Sequence, residues 1–163
     1  MSAQYAGGAN VPLSQSENVQ HVGAFPGTLG ISGCFVKTAP FFYVSGLDSL
    51  TIYNARDPLP PRQVGKLDNL VFENEAMNCG ERTVDGKTKR FVLIGVDTHQ
   101  ASSGDTDHVN VLADELGVVD VTKPAEPRIL SRTEATTSTH TIACVTPRNC
   151  RFAYSAGSSR NET

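Results

Sequence analysis

Residues 50–65, LTIYNARDPLPPRQVG, return sixty-six positions later as residues 116–131, LGVVDVTKPAEPRILS. Leu50/Leu116, Pro58/Pro124, Pro61/Pro127 and Arg62/Arg128 are identical, and Ile52/Val118, Tyr53/Val119 and Val64/Leu130 keep their apolar character. Each copy reads as a short apolar strand, a polar turn closed by P-x-x-P, and a second short strand. Self-similarity at a fixed long spacing is the mark of a repeat architecture, in which each unit must lean on its neighbours to bury its faces.

Working outward from the first copy, CFVK at 34–37 reads as a strand. FFYVSG at 41–46 reads as a second one, rich in aromatic and β-branched residues. A tight turn at 47–49 leads to the third strand, LTIYN at 50–54, and the turn at 56–61 to the fourth, RQVGKL at 62–67. Pro61 at the entrance of the fourth strand suits a sheet edge, where its missing N–H interrupts no ladder. The second unit repeats the plan: ENEAMNC at 73–79, a charged hairpin over 81–90, FVLIGV at 91–96, a long loop over 97–115, then LGVVDV and RILS. A single helical turn around 109–116 is the one helical reading, since no apolar 3.6-residue period is sustained elsewhere. A third unit opens with THTIACV at 139–145 and continues as FAYSAG at 152–157. Before the first unit, NVQHVGAF at 18–25 echoes the end of a repeat, and residues 1–17 read as a disordered lead-in.

Four short antiparallel strands per unit describe a β-propeller blade. The expected fold is therefore all-β: a β-propeller fragment over 18–163, with two complete four-stranded blades (31–67 and 73–131) and partial blades at each end (18–25 and 138–157). A sandwich would not repeat a matched P-x-x-P-R turn, and a solenoid coil lacks four-strand hairpin order. As a fragment it would expose apolar sheet faces, and is expected to be poorly soluble or to oligomerise.

The strand-three motif followed by its proline turn, L-x-I-Y-N-A-R-D-P-L-P-P at 50–61 and L-x-V-V-D-V-T-K-P-A-E-P at 116–127, resembles the LVIVD-repeat β-propeller family. Asn54 departs from the family's Asp, and Lys123 from its D-P. The resemblance covers about residues 18–157. It implies a bacterial, often secreted propeller of roughly six to eight blades with no well-defined shared activity.

Composition excludes several classes. A net charge of −3 and a pI near 5.8 give no basic face for nucleic acid. No apolar run spans a membrane, and the N-terminus has neither a basic nor an apolar segment of a signal peptide. The serines at 45 and 155 sit in no G-x-S-x-G context, and no phosphate loop or dinucleotide fingerprint occurs. Four cysteines stand at 34, 79, 144 and 150. Cys144 and Cys150 flank a turn and could form a disulfide across it; the other reading is buried free thiols. A bridge would imply an oxidising compartment.

Candidate site residues come from strand-one positions, which would line a propeller channel. Glu73, Glu75 and His140 could hold a divalent metal such as Ca²⁺ or Zn²⁺, or act on a substrate, at the channel mouth; the alternative is polar lining of a wet channel. The loop DTHQASSGDTDH at 97–108 is oxygen-rich, as Ca²⁺ loops are, but lacks the EF-hand spacing and reads first as an ordinary solvated loop; its length makes it a candidate functional loop. His21 reads as a surface residue. The expected function is a non-catalytic secreted or surface scaffold with a protein or glycan partner; the alternative is a metal-binding or enzymatic propeller. No catalytic residue is assigned. An extracellular or cell-surface setting belongs to that expectation.

Overall fold

The computed structural model describes residue 18 and residues 30–46, 49–57, 61–68, 76–95, 115–134 and 139–157. Within them the chain is all-β, with ten strands in three antiparallel sheets. The first sheet has the simple order β1 (Ser32–Phe35), β2 (Phe41–Ser45), β3 (Ser49–Asn54) and β4 (Arg62–Asp68). The second has the same order: β5 (Ala76–Val84), β6 (Lys87–Gly95), β7 (Glu115–Asp120) and β8 (Arg128–Glu134). The third unit contributes two strands, β9 (Thr141–Cys144) and β10 (Ala153–Ala156), joined through a 3₁₀ turn at Pro147–Asn149. Residues 1–17, 19–29, 47–48, 58–60, 69–75, 96–114, 135–138 and 158–163 lie outside the described residues, and with them the N-terminal readings, parts of the turns read at 47–49 and 56–61, and most of the long loop.

The sequence repeat is a repeat of register. Ser45 lies opposite Ser32 and Leu50, and Gly95 lies opposite Ala76 and Leu116. In both sheets the third-to-fourth ladder slips at one matched place, between Ile52 and Tyr53 and between Val118 and Val119. A bulge at the same position in two copies is a built feature that bends the outer strand. The turn after strand three is also shared. Asn54 Oδ1 accepts the Arg56 N–H at 2.9 Å, and Asp120 Oδ1 accepts the Thr122 N–H at 2.9 Å. The Asn-for-Asp departure therefore keeps the same capping oxygen.

What the Asn loses is the ion pair. Asp120 Oδ2 takes Arg128 Nη2 at 3.1 Å. Burial pushes the Asp120 carboxyl up, but hydrogen bonds from Thr122 and from Arg128, with the Arg128 charge, hold it below its ordinary value of 3.8. A carboxyl depressed in the folded state stabilises above its unfolded pKa, and that contribution is lost as pH falls through the folded one. Because Arg128 is well exposed, Asp120→Asn is expected to cost no more than about 1 kcal/mol at pH 7. Its unfolding midpoint should converge on the parent's as pH drops below 3.8. Urea melts at pH 7 and pH 3 would check this, and a gap that widened in acid would refute it.

Strand boundaries differ from the sequence reading in one informative place. The charged hairpin read over 81–90 is present, but its arms belong to the strands on either side rather than connecting them. β5 and β6 each run nine residues and pair throughout, from Ala76 opposite Gly95 to Val84 opposite Lys87. Their two-residue turn, Asp85-Gly86, has φ of 50° and 72°, the mirror-image geometry that Asp-Gly adopts and that matches the strand twist. β1 begins at Ser32 rather than Cys34, and β8 continues to Glu134. Of the helical turn read around 109–116, Glu115 and Leu116 are strand, and the rest lies outside the described residues.

The sheets pack on one another through their faces and their first strands. One core joins Tyr43, Leu50 and Ile52 of the first sheet to Met77, Val92, Ile94, Val119 and Val121 of the second. A second core joins Leu93 and Ala76, with Phe91, Leu116 and Val118 beside them, to Ile142, Cys144 and Cys150 of the third unit. Alternate residues of β6 thus face opposite neighbours. This explains why FVLIG is apolar at nearly every position rather than every second one. The outer part of the packing is equally close: a side chain at Gly65 would collide with the backbone carbonyl of Pro124.

Tyr43 is fully buried, and its hydroxyl has no hydrogen-bond partner among the described residues. Burial pushes the phenol up to about 12, with the Arg90 guanidinium pulling it down and the Glu81 carboxylate pushing it further up. A buried hydroxyl without a partner is a cost, so Tyr43→Phe is expected to be neutral or to stabilise by up to about 1 kcal/mol. A loss beyond that, read by chemical denaturation, would mean that the hydroxyl is satisfied.

Candidate functional site

The first strands of successive units converge. β1 packs on β5, and β5 packs on β9 and on the 3₁₀ turn. Two chemical ties hold this line. Cys34 of β1 and Cys79 of β5 form a disulfide with Cα atoms 5.7 Å apart, joining the two four-stranded sheets. Asn78 Oδ1 of β5 accepts the Cys144 N–H of β9 at 3.1 Å. The second disulfide, Cys144–Cys150, closes the 3₁₀ turn with Cα atoms 5.5 Å apart. No cysteine is free, so the free-thiol reading is corrected for all four. The Cys34–Cys79 partnership carries no local signal in the sequence, because the partners belong to different repeats.

Glu81 is the residue that composition misplaces. It lies in a run of charged side chains, yet it is 1% exposed. Its carboxylate crosses to the β1–β2 turn of the first sheet. There it accepts hydrogen bonds from the Lys37 N–H, the Thr38 N–H (2.9 Å) and the Thr38 hydroxyl. Arg90, opposite Glu81 on β6, donates from Nη2 to the Thr38 hydroxyl at 2.9 Å. Thr38 thus accepts from the guanidinium and donates to the carboxylate, linking two charges that would otherwise each need water. On its backbone side, the Glu81 carbonyl accepts the Cys150 N–H at 2.9 Å. One residue therefore ties its own strand to the β1–β2 turn of the first unit and to the 3₁₀ connection of the third.

Of the sequence-derived site residues, His140 precedes β9, is exposed, and donates its backbone N–H to the Ala156 carbonyl at 3.0 Å. Glu73 and Glu75 lie outside the described residues, as does the oxygen-rich loop at 97–108. Among the described residues, no three His, Cys, Asp or Glu side chains come together to hold a metal.

A cleft of about 230 Å³ opens between the second sheet and the third unit. Its apolar wall is Phe91, Leu93, Val118 and Phe152, and Arg82 and Arg151 stand beside it. It has no counterpart in the sequence reading. The matching positions of the first sheet, Phe41, Tyr43 and Ile52, are covered by the second sheet, and the last two are wholly buried. The cleft thus lies against the face of the second sheet that matches the covered face of the first. Compared with known proteins, the chain matches no family model and no curated protein.

Proposed function

We propose that these sheets are blades of a β-propeller that serves as a non-catalytic binding scaffold, presenting its rim loops to a protein or glycan partner. The supporting observation is the stacking of two sheets of matched strand order, register and bulge, with their first strands side by side. Blades set around a central channel place their strands in this way. The LVIVD-like strand forms the third strand of each sheet, with its leucine at the start and its Asn or Asp capping the following turn. Two disulfides support an extracellular or surface setting. No helix among the described residues is long and apolar enough to cross a membrane.

The test uses the full chain on an array of defined glycans, beside a variant in which residues 97–114 are replaced by the short turn sequence LDS of the first unit. Saturable binding by the parent, lost in the variant while the thermal transition is kept, is the expected result. The rival reading places a metal or catalytic site at the channel mouth. Stoichiometric metal or substrate turnover, abolished by Glu75→Ala with His140→Ala, would replace the scaffold reading with that one.

A further inference from the structure

We infer that the open edge of β10 is a docking site for a β-hairpin supplied from outside these 163 residues, whose first strand carries the pattern Leu-x-Ile/Val-Tyr/Val-Asn/Asp.

β10 stands where β2 and β6 stand. The Ile31 N–H closes onto the Ser45 carbonyl at 2.8 Å, and the His140 N–H closes onto the Ala156 carbonyl at 3.0 Å in the same way. Ala156 therefore matches Ser45 and Gly95, and Ala153 matches Phe42 and Val92. In both complete sheets the next partner is a strand of this pattern, with its Leu opposite Ser45 or Gly95. β10 has β9 on one side and no described strand on the other. The carbonyls of Phe152 and Ala156 point to the β9 side. By antiparallel alternation, the N–H and C=O groups of Ala153 and Ser155 point to the open edge.

The cleft continues the established packing. It lies under this edge, with Ala153 on its lining, and exposes the half-buried Phe91 and Val118 of the second sheet. The equivalent face of the first sheet is closed in part by Val119 and Val121 of the second sheet's own third strand and the turn after it. A docked hairpin in the same register sets its Leu opposite Ala156 and its Asn or Asp opposite Phe152. Its side chains at the Val119 and Val121 positions, both valine in the 115–134 hairpin, then fill the cleft.

The occupant is not a second copy of this chain. The pattern occurs in the 163 residues at 50–54 and 116–120, and both copies are already seated as β3 and β7. The site is independent of the rim-binding reading above.

The probe is a fluorescently labelled peptide of sequence 115–134, which holds one hairpin of this pattern, titrated into the oxidised full chain by anisotropy. Saturable one-to-one binding is expected. Val119→Asp with Val121→Asp in the peptide should weaken it by about tenfold or more, through loss of buried apolar contact. Ser155→Pro in the chain removes an edge N–H without touching the β9 ladder. It should have the same effect while leaving the thermal transition unchanged. Equal binding of the Asp peptide, or no saturable binding to a monomeric chain in sedimentation, overturns the proposal. So does self-association abolished by Ser155→Pro, which would give the edge to a second copy.

Discussion

Glu81→Ala is expected to destabilise the protein by about 3 kcal/mol, or roughly 10 °C in its thermal midpoint. The substitution strips the acceptor from two backbone N–H groups of the β1–β2 turn and from the Thr38 hydroxyl. It also leaves the Arg90 guanidinium beside a hydroxyl with no anion behind it. Hydrogen bonds to a charged group are worth more than neutral ones, and three of them end on this carboxylate. Glu81→Gln separates shape from charge. It keeps an oxygen for the turn N–H groups but loses the charge that faces Arg90, and should recover about half of the loss. The checks are differential scanning calorimetry and hydrogen exchange at Lys37 and Thr38. An alanine variant within about 0.5 kcal/mol of the parent would show that water replaces the carboxylate at no cost.

The second large effect belongs to the disulfide between the sheets. Cys34–Cys79 closes a loop of 45 residues, whereas Cys144–Cys150 closes one of 6. In the chain-entropy view the first restricts the unfolded ensemble by about 4 kcal/mol and the second by about 2 kcal/mol. The paired substitution Cys34→Ser, Cys79→Ser should therefore be the more damaging of the two double variants, by about 2 kcal/mol in equilibrium denaturation. Equal losses would place the stabilisation in local packing around each bridge rather than in loop closure.

The parts of this fold legible in the sequence were those fixed by local chemistry repeated twice. The Leu-x-Ile/Val strand, its Asx-capped turn and the arginine beyond it recur at one offset, and matched ladders follow from them. The charged hairpin over 81–90 was legible too, and the Asp85-Gly86 turn at its tip is one that Asp-Gly between extended runs favours. Setting the charged hairpin between the strands rather than within them hid their nine-residue length, because strands reaching beyond the sheet body can be polar on both faces. Glu81 was hidden for a related reason. Its neighbours Arg82 to Lys89 are largely solvent-facing, and only the three-dimensional approach of the first sheet's turn takes Glu81 from that company. Cys34 and Cys79 stand at different register positions of their repeats, so no internal alignment pairs them. Of the candidate site, only His140 could be followed to a place in the structure, where its backbone closes the β9–β10 ladder.

The middle sheet's double burial has a bearing on how the protein must be handled. The run FVLIG in β6 has no charge, no proline and strong β character, and it stays harmless because a neighbour covers each of its faces. Once a neighbour swings away, the exposed run has the composition of an amyloid-prone segment. Cleaving the Cys34–Cys79 bridge should then show first as turbidity or thioflavin-positive precipitate, before any unfolded monomer accumulates. Reducing agents, routinely added to keep proteins in solution, would take this one out of it.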